Sequence, residues 1–449
     1  MPVVRAAVRS IRTQGLRATR PAAACLLAVG LFACRQPADA PTVVEFWALG
    51  REGEAVQRLV PEFERQVPGV HVRVQQIPWS AAHEKLLTAY VGDAMPDVVQ
   101  VGNTWLPEFV ALRALEPLDG WMARTAVARE DYFPGILDTN IIDGVVYGLP
   151  WYVDTRLLFL RTDILRAVGY TQPPATWAEW LDAMVRIKRR SGPPHYAILL
   201  PLTEWQPPVI LALQLHADLL RDHEQYGNFQ SAAFRQAFAF YLNLFAQKLA
   251  PHAGDTQVAN VYQDFASGYF SLYVSGPWNI GEFSRRLPAA LQTAWSTAPL
   301  PAPNDGGIGT SLAGGASLAL VRRSPHKAAA WQWIAYLSNP ARQVAFYRLT
   351  GDLPARQQAW ADATLAANPY AQAFWTQLQD VRSTPKIPEW ERIANAISHY
   401  AEAAIRGQLT PDAALAALDR DVDVILEKRR WMQRASGRTA PRDAESIRQ

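Results

Sequence analysis

Sixteen tryptophans stand among 41 acidic side chains in this 449-residue chain. Where the two types meet in turn-forming sequence, they could hold a sugar-like ligand: flat aromatic faces cover C–H surfaces, and planar polar groups pair with hydroxyls in a desolvated cleft. Context separates the tryptophans. Trp177, Trp180, Trp331 and Trp333 recur at helical spacing and read as core. Trp105, Trp205 and Trp278 stand beside Asn, Glu, Gly or Pro in loop sequence and read as site candidates. Glu204 and Trp205 follow the apolar run Leu199 to Leu202, so an acid and an aromatic emerge together at a strand end. Gly314 and Gly315 open the run Ala316 to Val321, either to let backbone N–H groups approach a ligand or to form a tight turn. Glu52, after Leu49-Gly50, is either a site acid or a complement to a helix dipole.

Other chemistries find little support. There is no Gly-x-Ser-x-Gly elbow, no His-Glu-x-x-His helix and no Gly-x-x-x-x-Gly-Lys loop, and the eight histidines are dispersed. Residues 303–315 are Gly-rich but lack the lysine of a phosphate loop. With 44 basic against 41 acidic residues and scattered arginines, the chain has no concentrated basic face for nucleic acid. A secreted glycoside hydrolase is the rival reading, because paired carboxylates beside aromatics also describe a glycosidase cleft.

The elements that must position these residues follow from periodicity. Val43 to Trp47 reads as a strand, Ala55 to Val67 as a helix stopped by Pro68-Gly69, and Val70, Val72 and Val74 as an alternating strand. A helix around Glu84 to Val91 and a strand at Asp97 to Val101 complete a βαβαβ start. That pattern implies an α/β domain with a largely parallel sheet and a ligand site at the strands' carboxyl ends, where Gly102 to Trp105 falls. Asp143-Gly144 between apolar pairs predicts a hairpin. Thr176 can cap a helix from Trp177, Ser231 to Leu249 is helical, and strands are expected at Tyr196 to Leu200, Phe270 to Val274 and Ala316 to Val321. Helices dominate from there to Met432, and 433–449 reads as a polar tail.

The amino end reads as an export signal. Five arginines and no acid precede the apolar run Ala22 to Ala33, which is shorter than the roughly 20 residues of a membrane-spanning helix. Leu31-Phe32-Ala33-Cys34 resembles a lipoprotein box with Cys34 as the lipidation site; Phe32 departs from its usual residue types, and ordinary signal cleavage is the alternative. The only other cysteine is Cys25, inside the signal, so no disulfide is expected after processing. Removing the five leader arginines leaves 39 basic residues, and the exported body is slightly acidic.

Several segments, in order, resemble the solute-binding proteins of bacterial carbohydrate ABC importers, the family that includes maltose- and trehalose-binding proteins. They are Phe46 to Val67, Met95-Pro96-Asp97-Val98-Val99, Val146-Tyr147-Gly148-Leu149-Pro150, Asp154 through Asp163, Thr176 to Trp180, and Phe265 to Trp278 ending in Gly276-Pro277-Trp278. The resemblance covers nearly the whole exported chain. It implies an α/β, two-lobe periplasmic-binding-protein-like fold of type II, with interleaved lobes and a ligand cleft between them. Residues 1–33 would be the signal peptide and 34–40 a tether; 41–152 with 299–348 would form lobe one, and 153–298 with 349–432 lobe two.

The resemblance also implies ligand roles. It makes Trp278 a stacking aromatic, Asp154 an acceptor of sugar hydroxyls at the interlobe crossing, and Asn103 and Thr104, beside Trp105, suppliers of hydrogen bonds. Many relatives carry Asp at that loop, and loop capping is the other reading of Asn103. Asp352 and Arg356 match the family's late loop, where the arginine forks onto hydroxyls or pairs with a site acid. The implied partners are a neutral sugar, such as an α-glucoside, and a membrane permease, with neither cofactor nor metal. The implied state is a monomer in the cell envelope, held on the periplasmic side by its lipid. A sugar phosphate or a non-sugar solute is the alternative ligand.

Overall fold

The structure is a computed structural model that describes residues 41–435, except 126, 255–259 and 305–306. The signal peptide, the tether with Cys34, and residues 436–449 lie outside the described residues. The helix Glu427–Ala435 runs slightly past the expected start of the polar tail at 433.

Ten strands form the two main sheets. In chain order they are β1 (Thr42–Leu49), β2 (Val70–Ile77), β3 (Val98–Gly102), β4 (Leu149–Val153), β5 (Leu157–Arg161), β6 (Ile198–Leu199), β7 (Leu272–Ser275), β8 (Trp295–Ala298), β9 (Gly315–Leu320) and β10 (Leu353–Pro354). The larger sheet has the order β10-β4-β9-β3-β1-β2, and the smaller β8-β5-β7-β6. Each sheet carries one lobe of a two-lobe α/β binding-protein fold. The βαβαβ start is as expected: β1 pairs in parallel with both β2 and β3. β10 departs from the expected boundaries, because Leu353 and Pro354 pair with Val153 and Tyr152 and so return to the larger sheet from a stretch assigned to lobe two. Proline is tolerated there because β10 is an edge strand.

Local chemistry sets the ends of these elements. Thr176 accepts from the Glu179 backbone N–H at 3.2 Å, and Glu179 accepts in return from Ala175 N–H at 2.8 Å, fixing the start of helix Trp177–Ser191. Asp143 and Gly144 both take positive φ, 49° and 80°, as the tight hairpin between Ile141–Ile142 and Val145–Val146 requires. The four helical tryptophans are buried as expected. Trp333 packs edge-on to Phe46 and Phe63 beneath the larger sheet, and Trp177 stacks on Phe240 in the smaller lobe.

Between β4 and β5 the chain crosses from one sheet to the other through Asp154, Thr155 and Arg156. A second crossing lies against it: Asp154 N–H donates to Gly314 O at 2.9 Å, Thr155 Oγ1 to Leu312 O at 2.9 Å, and Ser311 Oγ to Arg156 O at 2.6 Å. Gly314 and Gly315 are required by this approach. A Cβ at Gly314 would lie 2.1 Å from Asp154 O, and one at Gly315 2.4 Å from Tyr152 O.

Candidate ligand-binding site

The register of the two sheets brings distant residues to one place. β4 runs parallel to β3 and β1, while β9 and β10 run against them. The carboxyl ends of β1 to β4 and the amino ends of β9 and β10 therefore share one edge. From that edge come Glu52, Trp79, the loop Asn103–Trp105, Asp154, Gly314 and Asp352. The smaller sheet does the same, because β7 is antiparallel to β5 and parallel to β6. Arg156 precedes β5, Glu204 and Trp205 follow β6, and Trp278 follows β7.

The resulting cleft has two compartments that share Trp79, Tyr152 and Asp154. The smaller, about 220 Å³, is also lined by Asn103, Thr104, Trp105, Arg156, Trp205, Gln206, Gly314, Gly315 and Glu391. The larger, about 520 Å³, is also lined by Arg51, Glu52, Tyr262, Trp278, Glu282, Arg286 and Asp352. Ten of the twelve sequence-nominated residues thus face one cleft. Glu204 stands behind the lining, its carboxylate 3.8 Å from Arg156. Arg356 belongs elsewhere: it is buried, pairs with Asp131 at 2.6 Å and lies over the Tyr132 ring, so the expected ligand fork is corrected to a structural ion pair.

Acids and aromatics hold one another in place. Glu52 accepts from Trp79 Nε1 at 3.3 Å and from the Tyr152 hydroxyl at 3.4 Å, and Tyr152 accepts in turn from Gln100 at 3.0 Å. Gly50 makes room for this: a Cβ there would lie 2.5 Å from the Trp79 ring. Asp352 is only 4% exposed; burial first, and the neighbouring Glu52 second, push its carboxyl up to about 8. Burial also raises Glu52, against its hydrogen bonds. Asp154 is raised by burial and pulled back by Arg156, whose Nε lies 3.5 Å away. Burial raises Glu391 as well, although it takes hydrogen bonds from the Thr104 and Trp105 side chains.

On the other wall, the Arg156 guanidinium lies 4.7 Å from the centre of the Trp278 ring. The ring folds back over Gly276, where a Cβ would sit 1.7 Å from it. The Asn103 amide donates to Ala313 O at 2.7 Å, so Asn103 ties its loop to the second crossing while lining the cleft.

Residues 47–344 match the family model described as bacterial extracellular solute-binding protein. The chain belongs to that family. In the solved structure of the sugar-binding protein MalE from Xanthomonas citri, 51% of aligned residues are identical, with a TM-score of 0.84 over 88% of this chain and 99% of that one. The GacH receptor of Streptomyces glaucescens shares the fold at 23% identity and a TM-score of 0.75, over 86% and 98% of the two chains. The diacetylchitobiose binding protein of Streptomyces coelicolor is 23% identical over 79% of this chain and 83% of its own.

Several lining residues of this family member escape sequence reasoning. Trp79 follows Pro78 at a helix start, a context much like that of Trp278 after Pro277, and could have been found by the same signal. Arg156 lies two residues from the nominated Asp154. Glu391 carries no local signal; only packing of helix Trp390–Ile405 against the Asn103 loop brings it to the cleft.

Proposed function

We propose that this protein is the substrate-binding subunit of a carbohydrate ABC importer. It holds a neutral sugar between its lobes and delivers it to a membrane permease, while other subunits hydrolyse ATP. The observation that carries the reading is the charge arrangement of an aromatic-lined cleft. Arg51 and Arg286 both pair with Glu282, at 3.0 and 2.6 Å, and Arg156 stands between Asp154 and Glu204. The cleft cations are thus engaged by acids, while Glu52, Asp352 and Glu391 add further carboxyl groups, that of Asp352 held largely protonated at neutral pH. In such a cleft a phosphate would have to compete with acids for each cation, whereas hydroxyl groups are offered acceptors. The Xanthomonas relative, described as sugar-binding, supports the same reading. An α-glucoside such as maltose or trehalose is the ligand the motif resemblance favours. Ligand contacts to both lobes would favour a closed state by their differential affinity, and the permease would read that state.

Calorimetry with a panel of neutral sugars and sugar phosphates tests this. One neutral sugar should bind and be recovered intact, and Trp278→Ala and Asp154→Ala should each weaken it by roughly 10- to 100-fold without unfolding the protein. Unchanged affinity in both variants would remove the site assignment. A sugar recovered cleaved would favour the hydrolase.

A further inference from the structure

Trp105, on the wall of the smaller compartment, is packed by two side chains one turn apart on helix Trp79–Val91. The Trp79 ring meets it edge-on with centroids 5.6 Å apart, and the His83 ring lies tilted against it at 5.2 Å. His83 stands behind the lining. Its Nε2 lies 2.7 Å from Glu108 Oε2, in helix Leu106–Ala111, with both side chains partly shielded from water, and the Phe109 ring covers it edge-on at 6.1 Å. A further acid comes from the other lobe. Trp390 opens a helix that belongs to the smaller lobe's core, whereas Trp105 packs with Leu49, Val99 and Val101 of the larger sheet. Glu391, next to Trp390, accepts from the Thr104 and Trp105 side chains across that boundary. Three carboxyl groups thus act on one imidazole: Glu84 from its own helix, Glu108 from the next, and Glu391 from the opposite lobe. The hydrogen bond to Glu108 raises the pKa of His83, partial burial works against it, and the charges of Glu108, Glu391 and Glu84 add to the rise. The influence is mutual, because a charged His83 opposes the burial that raises Glu391.

We infer that His83 is a positioning residue whose proton couples ligand capture to pH: protonated, it braces Trp105 from behind and draws Glu391 onto the loop Asn103–Trp105, and so favours the closed cleft. Opening the lobes would carry Glu391 away and leave Glu108 and Glu84 in place, since both belong to the same lobe as His83. The proton is therefore held more tightly in the closed state than in the open one. Affinity is fully enhanced below the open-state value of His83, and the enhancement is lost as pH rises through the closed-state value. This rests on the carbohydrate reading above and adds to it a proton taken up as the lobes close.

Calorimetry with maltose, trehalose and the other neutral sugars of the panel above, at pH 6 and pH 9, compares the wild type with His83→Gln, whose amide can still donate to Glu108 without carrying a charge. Asp352 titrates in the same range in the other compartment, and its effect cancels in the ratio of the two proteins' affinities. His83→Gln should lose about three- to tenfold more affinity at pH 6 than at pH 9, which corresponds to roughly half to one pK unit between the open and closed states. A purely structural role would give the same loss at both. In a Glu391→Gln background the difference between the two pH values should vanish, with melting curves at each pH checking that every variant folds. An equal loss at both pH values, or a difference that survives Glu391→Gln, would overturn the proton coupling while leaving the carbohydrate reading intact. No binding of any saccharide by the wild type would overturn both.

Discussion

At the residue scale, Asp352 and Arg356, four positions apart, have opposite fates. Asp352 is an acid held among buried neighbours, and its folded pKa of about 8 lies far above the ordinary 3.8. An acid raised in this way binds its proton more tightly when folded. Its stabilising contribution is complete below the unfolded value and is lost as pH rises from about 4 through about 8. Asp352→Asn removes that titration, so its melting temperature should fall less steeply than the wild type's between pH 5 and 9. Parallel curves from thermal unfolding across that range would contradict the assignment. Arg356 already has its partner in Asp131, 2.6 Å away and largely shielded from water. Arg356→Met strands that carboxylate and should cost roughly 3 kcal/mol of stability, read by denaturant unfolding, with sugar affinity unchanged.

At the element scale, glycines decide where the cleft walls stand, and two of them should behave differently. A methyl at Gly276 meets the outer edge of the Trp278 ring, which can swing away. Gly276→Ala should therefore fold near normally and lose affinity much as Trp278→Ala does. A methyl at Gly314 meets the backbone oxygen of Asp154, which cannot yield without moving the crossing. Gly314→Ala should lower the melting temperature as well as affinity. Thermal unfolding paired with calorimetry separates the two cases, and equal destabilisation in both would show that the Trp278 ring is as immovable as the crossing.

For the whole molecule, the covalent crossings are joined by a side-chain tie. Arg51, in helix Gly50–Ala55 after β1, reaches Glu282 in helix Trp278–Arg286 after β7, so an ion pair spans the two sheets' ends at the larger compartment. A ligand touching both lobes adds to that tie, and at 100 times its dissociation constant it stabilises the closed protein by roughly 2.7 kcal/mol. Delivery to a permease also depends on where the protein is held. We propose acylation at Cys34; Cys34→Ser should then abolish incorporation of labelled fatty acid and release the protein from the membrane fraction, and label persisting on that variant would refute the anchor.

Periodicity and punctuation in the sequence determined the βαβαβ start, the Asp143-Gly144 hairpin, the Thr176 cap and the burial of four helical tryptophans. These depend on interactions a few residues apart, which local chemistry can read. The Pro, Gly and Asn punctuation around Trp105, Trp205 and Trp278 was legible for the same reason, although these residues stand in or at the starts of helical turns rather than in loops: Trp105 in the turn Asn103–Trp105, Trp205 just before helix Gln206–Gln214 and Trp278 first in helix Trp278–Arg286. Only the tertiary structure decided what β10 joins, since an edge strand of two residues has no period of its own. It also decided that Arg356 pairs with Asp131, 225 positions away, and that Glu391 and Gln206 reach the smaller compartment. Sheet register and lobe contact place those groups, and both are set by packing between segments whose separation along the chain carries no signal.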